Sequence, residues 1–264
     1  MGDPPPPVPV PAATLALLRD RVGGRVETLL IQRHQASRFA AGDFVFPGGK
    51  VEAADVPDDP TRWCGRLTAE TAARRLGLPS ESSLALGYWI AAIREAFEEV
   101  GLLLAHRVDD WPLRVDAPRF AEYRRACQAD HRRFWEMLAT ERLTPAVDGL
   151  VYFAHWVTPE ERPRRFDTRF FAAPAPADQD AVADDHEIVG VRWLTPAEAL
   201  EAKRRGEISL RLPTARNLAL IGQATSTAEA LQQLARRAVS MIRPRLVTEG
   251  GRQRTILPGE AGYY

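Results

Sequence analysis

The chain has 264 residues, which is enough to bury a full hydrophobic core in one domain with additions or in two small domains. Its 35 Lys and Arg residues balance its 35 Asp and Glu residues, and a net charge near zero argues against a nucleic-acid binder that relies on bulk charge. Cys64 and Cys127 form no CxxC pair, which argues against a disulfide framework or a zinc ribbon.

The sequence has no apolar run of about 18 residues and no charged-then-apolar signal segment, so we expect no membrane partner. The final residues, Gly-Glu-Ala-Gly-Tyr-Tyr, do not form a peroxisomal address. We therefore expect a cytoplasmic location.

The first part of the chain predicts strands. Residues 1–12 are rich in proline and are expected to be flexible or extended. Residues 14–20 predict a short helix or the first strand, and the apolar run 26–32 predicts a buried strand. Residues 44–46 predict another strand, which ends in a tight Pro-Gly-Gly loop at 47–49 whose glycines allow close approach of the backbone to a ligand.

Helices are predicted next. Residues 59–78 predict one helix that starts at a proline and ends at a glycine. Residues 90–103 predict an amphipathic helix, capped at Gly101, with an apolar stripe at Ile90, Ile93, Phe97 and Val100.

Three glutamates, Glu95, Glu98 and Glu99, share another face of this helix because they lie at i, i+3 and i+4. One interpretation is a solvated acidic face. The like-charged pair Glu95 and Glu99 costs about 0.2–0.5 kcal/mol and no lysine on that face offsets it, which favours a bound cation. Carboxylate oxygens suit Mg²⁺ or Mn²⁺, and such sites usually serve phosphate substrates.

Residues 120–138 predict a single further helix. Residues 150–157 and 168–173 predict paired strands, and the loop between them holds three arginines, Arg162, Arg164 and Arg165. We interpret that loop as a solvated hairpin, with phosphate capture as the alternative.

The last part of the chain predicts a strand and several helices. Residues 188–194 predict a strand, and Thr195 begins the following helix with a capping box. Residues 210–220 and 227–242 predict C-terminal helices, and residues 244–264 predict a tail.

The glycine loop and the glutamate helix together resemble the signature of the Nudix hydrolase family: Gly, five residues, Glu, seven residues, then Arg-Glu-U-x-Glu-Glu-x-Gly-U, with U aliphatic. The matching positions are Gly49, Arg94, Glu95, Glu98, Glu99, Gly101 and Leu102. Three departures stand out: Asp55 replaces the first glutamate, Ala96 takes an aliphatic position, and residues 56–93 fill the seven-residue gap. This interruption resembles the coenzyme A diphosphatase branch of the family.

Residues 29–49 are similar to a second motif, which marks Nudix enzymes directed at coenzyme A. The matching positions are Leu29, Leu30, Arg33, Arg38, Gly42, Phe46, Pro47, Gly48 and Gly49, whereas Ile31 and His34 depart. The resemblance implies that Arg33 and Arg38 hold a diphosphate or a 3′-phosphate beside the glycines. The alternative is a pair of ordinary arginines at the end of a strand.

The resemblance implies a Nudix α/β/α sandwich, an α/β (α+β) fold with a mixed sheet between helices and a helical C-terminal extension. We expect the Nudix domain over residues 13–222, with helical insertions at about 56–89 and 104–148. A C-terminal helix and tail are expected over residues 223–264.

The resemblance also implies metal-dependent hydrolysis of a nucleoside diphosphate-linked small molecule. Mg²⁺ or Mn²⁺ would be held by Glu95, Glu98, Glu99 and the Gly49 carbonyl. Arg94 would orient the carboxylates, and Glu98 or Glu187 would take a proton from water. Glu187 precedes a strand and a capped helix, an order that Nudix domains commonly show; the alternative is a surface acid in a loop.

Coenzyme A or an acyl-CoA is the first expected substrate, and ADP-ribose or another nucleotide sugar is the second. A non-hydrolytic ligand sensor is the alternative from a different class, although a sensor has no need of an intact set of glutamates. We expect no nucleic-acid partner, and a homodimer is left open as an assembly.

Overall fold

The computed structural model describes residues 5–36, 40–65, 67–78, 82–108, 113–184, 187–261 and 263. The strands in these ranges are β1 (Val10–Arg21), β2 (Arg25–Arg33), β3 (Phe44–Val45), β4 (Gly48–Lys50), β5 (Ala105–Arg107), β6 (Leu143–Pro145), β7 (Val151–Val157), β8 (Phe166–Pro174), β9 (Ile188–Leu194), β10 (Met241–Ile242), β11 (Arg245–Glu249) and β12 (Arg252–Ile256). The helices are α1 (Pro60–Cys64), α2 (Ala69–Leu76), α3 (Ser82–Val100), α4 (Pro118–Ala129), α5 (Arg133–Thr140), α6 (Pro196–Arg204), α7 (Leu212–Ile221) and α8 (Thr227–Ala235).

A mixed eight-stranded sheet forms the centre of the molecule. Its strands follow the order β10-β7-β8-β1-β2-β3, with β4 also paired to β1 and β9 to β2. Strand β1 runs parallel to β8 and antiparallel to β2 and β4. Residues 26–31 of β2 are all buried, as expected for a strand that is covered on both faces.

Successive residues of β1 pack into two different hydrophobic cores because side chains of a strand alternate between its faces. Leu15 and Leu17 join the core that α3 covers, whereas Ala16 and Leu18 join the core that α6, α7 and α8 cover. Helices therefore lie on both faces of the sheet, and the predicted α/β/α sandwich is confirmed. None of the helices in the described ranges is long and apolar enough to cross a membrane.

The segment 1–12, expected to be flexible or extended, is extended over its last residues, 10–12, which form the start of a strand. Strand β1 begins at Val10, whose amide donates to the Arg165 carbonyl at 2.9 Å. Pro11 has no amide hydrogen, but its carbonyl accepts from the Val51 amide at 3.0 Å, so the proline still links β1 to the loop after β4.

Two single helices predicted from the sequence are each broken into two. Residues 59–78 form α1 and α2, which are separated at Gly65 with φ +39°, and Thr68 caps the second helix by accepting from the Thr71 amide. Residues 120–138 form parts of α4 and α5, which are separated at Asp130, where the backbone is extended.

The insertions differ from their predicted form in two further ways. Helix α3 begins at Ser82, so residues 82–89 belong to the glutamate helix rather than to an insertion over 56–89. The insertion over 104–148 is helical only in part, because β5 and β6 pair within it as a small antiparallel sheet.

The C-terminal extension is less helical than predicted. Helix α8 ends at Ala235, and Met241 and Ile242 pair with β7 as an edge strand instead of continuing the helix. Residues 244–264, predicted to be a tail, contain the hairpin of β11 and β12. Gly250 and Gly251 close it with φ +58° and +79°, as a two-residue hairpin turn requires.

Candidate active site

Helix α3 carries the site. Its predicted apolar stripe is fully buried, and Gly101 ends the helix with φ +74°. Glu98 and Glu99, on the opposite face, are each only 5% exposed. The interpretation of this face as a solvated acidic surface is therefore wrong, because the glutamates point into a cleft that other segments enclose.

Arg94 is fully buried and joins the two halves of the interrupted signature. Its Nε donates to Asp55 Oδ1 at 2.7 Å and its Nη2 to Asp55 Oδ2 at 3.0 Å. Its Nη1 donates to Glu98 Oε2 at 2.8 Å and to Glu95 Oε1 at 3.0 Å. Nη2 also donates to the Lys50 carbonyl at 3.1 Å. Arg94 is thus in contact with the carboxylates that it was predicted to orient, and its effect on turnover stays a prediction.

Asp55 fits where the signature has a glutamate because its backbone is brought close to Arg94. Residues 53–55 form a short 3₁₀ helix, and the Glu52 amide donates to Asp55 Oδ2 at 2.8 Å. The Asp55 side chain, although shorter than that of glutamate, is only 1% exposed and makes a bidentate contact with the Arg94 guanidinium.

The glycine loop touches the glutamate face at two points. The Gly48 amide donates to Glu99 Oε2 at 2.8 Å. A Cβ added to Gly49 would lie 2.4 Å from Glu95 Oε1, and one added to Gly48, with φ +155°, would lie 2.4 Å from the Ala13 carbonyl oxygen. Only glycine allows the loop to approach both the helix and β1 this closely.

The carboxylates of this face hold their protons more tightly than ordinary glutamates. Desolvation by burial raises the pKa of Glu95 to about 7, with Arg94 opposing the shift and Glu98 adding to it. Desolvation, followed by repulsion from Glu95, raises the pKa of Glu99 well above its usual value. The neighbouring cations do not fully compensate the buried negative charge.

The donor set fits a hard divalent cation in part. Glu95 and Glu99 supply oxygen donors, and a cation would take the place of protons on this overcharged pair. Glu98 is engaged elsewhere, because Arg94 and His131 contact its two oxygens. No group of three or more His, Cys, Asp or Glu side chains in the described residues is gathered to hold a metal ion. Ligation by the predicted set, Glu95, Glu98, Glu99 and the Gly49 carbonyl, stays a prediction.

His131 is a site residue that the sequence did not reveal. It lies in the turn between α4 and α5, and its Nδ1 is 3.0 Å from Glu98 Oε1 and 3.4 Å from Arg94 Nη1. Gln128 donates to the Glu98 carbonyl at 2.7 Å. Neither residue belongs to a motif, and only the folding of the insertion onto α3 brings them to the site.

Arg33 lies between two glutamates. Its Nη1 is 3.5 Å from Glu99 Oε1 and its Nη2 is 3.5 Å from Glu187 Oε2. The Glu187 side chain is 69% exposed, so it borders the site on the solvent side. Gly42, with φ +71°, turns the loop back so that its amide donates to the Arg33 carbonyl at 3.1 Å. Arg38 lies outside the described residues.

One cleft of about 1390 Å³ contains these groups. Besides the glycine loop and the three glutamates, basic side chains line it at Arg33, Lys50, Arg125, Arg162, Arg164 and Arg211. Apolar side chains line it at Trp156, Phe166, Phe170, Leu212 and Leu246. A cleft with clustered carboxylates, several cations and an apolar wall suits an anionic small molecule with an apolar part.

Comparisons with known proteins agree with this geometry. The family model described as the NUDT19 Nudix domain matches residues 83–221, a range that includes Arg94, the three glutamates and Glu187. The acyl-coenzyme A diphosphatase NUDT19 of Xenopus laevis is 30% identical over 224 residues, which cover 71% of this chain and 57% of that protein. Its Homo sapiens counterpart is 31% identical over 218 residues, which cover 70% and 57%. The chain thus spans little more than half the length of these curated relatives.

A solved structure supports the fold. The crystal structure of a Nudix hydrolase from Alicyclobacillus acidocaldarius is similar with a TM-score of 0.68, over 88% of this chain and 99% of that chain. The sequence identity is 23%, so the likeness shows the fold alone.

Proposed function

The chain belongs to the Nudix hydrolases of the NUDT19 type, and from this membership we propose that it is a metal-dependent diphosphatase of coenzyme A or an acyl-CoA. The bond cleaved is the phosphoanhydride, and the products are adenosine 3′,5′-bisphosphate and a phosphopantetheine. The observation that carries the proposal is the buried, overcharged pair Glu95 and Glu99 against the Gly48-Gly49 loop. The names of the relatives supply the substrate class.

Different residues of the site have different roles in the proposed hydrolysis. Glu95, Glu99 and the Gly49 carbonyl would hold a Mg²⁺ or Mn²⁺ ion, which would stabilise charge on the diphosphate oxygens. Arg94 keeps the carboxylate of Glu98 in one orientation by a charge-assisted hydrogen bond.

The proton of the attacking water goes to Glu98 or to Glu187. Glu98 is the first choice, because Arg94 and His131 hold its carboxylate with one contact to each oxygen and leave further lone pairs to accept a proton. Glu187 is more exposed and lines the same cleft, so it remains the alternative base.

ADP-ribose or another nucleotide sugar is the second candidate substrate. The observation that favours it is the position of Arg33, which lies 3.5 Å from both Glu99 and Glu187 and so belongs to the part of the site that any diphosphate substrate would meet. The ligand-sensor alternative has no use for a buried cluster of glutamates. The cytoplasmic location and the homodimer stay predictions.

Replacing Glu98 with Gln tests the proposed role of this residue. We expect kcat to fall by at least about 100-fold, because an amide cannot take a proton from water. The matched control is Glu136→Gln on α5, an exposed glutamate paired with Arg133, which should keep kcat near the wild-type value. Circular dichroism and urea unfolding check that both variants fold. Wild-type turnover by folded Glu98→Gln would remove Glu98 from the chemistry.

A further inference from the structure

In the loop between β7 and β8, residues 158–165, the two acidic side chains lie on a different side from Arg162 and Arg164. Both of its acids face the C-terminal segment: Glu160 pairs with Arg243, and Glu161 Oε2 accepts from the Leu246 amide at 3.3 Å. These acids line a separate small pocket with Arg243 and Arg245, and they do not line the active-site cleft. The negative charge of the loop is therefore directed away from the cleft.

Arg165 fixes the position of this loop. Its side chain is 5% exposed, its Nη1 donates to the Pro7 carbonyl at 2.7 Å and its Nε to the Thr158 carbonyl at 3.2 Å. The Thr158 hydroxyl accepts from the Phe166 amide at 3.0 Å. These hydrogen bonds fix both ends of the loop, so its other charged side chains project from a fixed backbone.

Those remaining side chains are Arg162 and Arg164. Both are exposed and both line the active-site cleft. Neither side chain makes a hydrogen bond or an ion pair within the part of the chain that the structure describes, whereas Arg33 and Arg211 in the same cleft face acidic partners. Two guanidinium groups that line one cleft and have no acidic partner in the described residues favour an anionic ligand, since their forked donors match phosphate oxygens.

Strand register shows how far this pair lies from the glycine loop. Thr168 on β8 is opposite Ala12 on β1, and Ala12 is opposite Lys50 on β4. Two strand spacings, roughly 10 Å, therefore separate the backbones of Thr168 and Lys50. Arg164 lies four residues before Thr168, at most about 14 Å further along the chain. Because the arginines and the glutamates of α3 also line the same cleft, one small molecule bound there can contact both groups.

We propose that Arg162 and Arg164 bind a terminal phosphomonoester of the substrate, distinct from the diphosphate that is cleaved. The inference rests on the proposed function and narrows it, because it requires the substrate to carry a further phosphate with a charge of about −2. Coenzyme A carries such a group as its 3′-phosphate, and ADP-ribose does not. Arg162 and Arg164 would therefore make the enzyme discriminate in favour of coenzyme A over ADP-ribose.

The test compares coenzyme A with 3′-dephospho-coenzyme A, which differs only in the phosphomonoester. Steady-state kinetics are measured on the full chain for wild type and for the double variant Arg162→Ala/Arg164→Ala. We expect wild type to prefer coenzyme A by at least tenfold in kcat/KM, or about 1.4 kcal/mol. In the double variant this preference should fall to about twofold or less, mainly through a higher KM for coenzyme A.

The matched control is Arg236→Ala/Arg237→Ala, which removes two exposed arginines at the end of α8 that do not line the cleft. It should keep the wild-type preference. Equal kcat/KM of wild type for both substrates, or equal losses on both in the double variant, would overturn the inference while leaving the proposed function in place.

A binding measurement separates failure of the inference from failure of the proposed function. Calorimetric titration with adenosine 3′,5′-bisphosphate and with AMP needs no turnover. We expect the bisphosphate to bind at least tenfold more tightly to wild type, and this difference to disappear in Arg162→Ala/Arg164→Ala. If coenzyme A is not hydrolysed but this difference is found, the proposed reaction fails and the phosphate site stands. Equal binding of the two nucleotides by wild type would overturn the site.

Discussion

At the scale of single residues, Arg94 explains how a signature interrupted by residues 56–93 still forms one site. Its guanidinium contacts Asp55 from before the interruption and Glu95 and Glu98 from after it. The resemblance to the family motif located all of these residues. His131 could not be found in this way, because its contact with Glu98 joins segments 33 residues apart and has no sequence pattern.

Asp55→Ala should lower the free energy of unfolding by about 3 kcal/mol, because removing one partner of a buried ion pair leaves charge on Arg94 uncompensated. Urea unfolding monitored by tryptophan fluorescence measures the change. The matched control is Asp116→Ala, which breaks an exposed pair with Arg114 and should cost less than about 0.5 kcal/mol. Equal effects of the two substitutions would show that the Arg94 contact does not stabilise the fold.

Substitution of Gly48 and of Gly49 should affect different properties of the protein, stability in the first case and activity in the second. In Gly49→Ala the new Cβ meets the end of the flexible Glu95 side chain, so we expect kcat/KM to fall at least about tenfold with little loss of stability. In Gly48→Ala it meets the backbone of Ala13, so we expect the free energy of unfolding to fall by about 1–3 kcal/mol. Paired activity and unfolding measurements test this.

Gly149→Ala is the control for the two loop variants, because a Cβ at that position meets no atom within 4 Å. It should change neither activity nor stability appreciably. The same loss of stability in Gly49→Ala as in Gly48→Ala would contradict the assignment of Gly49 to the catalytic loop.

At the scale of elements, the secondary-structure predictions were most accurate where one periodic pattern extends over a whole helix or strand. Strand β2, the pair β7 and β8, helix α3 and the Thr195 capping box were all found. The breaks at Gly65 and Asp130 were missed, because apolar residues on both sides of each break pack into the same core and keep near-helical spacing. The hairpin of β11 and β12 was missed although Gly250-Gly251 is a hairpin signal.

The pair β7 and β8 predicts a pH dependence of stability. Burial by itself would raise the pKa of Asp167, but the hydrogen bond from His155 and the charge of Arg169 outweigh it and hold that pKa below its usual value. A depressed pKa in the folded state contributes stability above the unfolded-state pKa of about 3.9. This contribution is lost as the pH falls through the lower folded-state pKa.

Asp167→Asn should therefore destabilise the protein at pH 7, and the difference from wild type should shrink as the pH falls below about 4. Urea unfolding of both proteins across this range measures the difference. A difference that stays constant with pH would show that the ionised carboxylate of Asp167 contributes nothing to folding.

At the scale of the whole molecule, the sandwich brings distant segments to one cleft. Strand β4 supplies the glycines and α3 the glutamates. The insertion between β5 and β6 supplies His131, and the loop between β7 and β8 adds Arg162 and Arg164. The fold class and the glutamate face could be predicted because motif and periodicity are local. The wall of the cleft could not, because it depends on how the insertion and the C-terminal hairpin pack against the sheet.

The measurement that tests the central claim most directly is parallel hydrolysis of coenzyme A, an acyl-CoA, ADP-ribose and NADH, with millimolar Mg²⁺ and identification of the products. The account predicts the highest kcat/KM for a coenzyme A species, with adenosine 3′,5′-bisphosphate and a phosphopantetheine as products. Preferred hydrolysis of ADP-ribose would contradict the substrate assignment. Tight binding of one compound without turnover of any would contradict the enzyme itself and favour a ligand sensor.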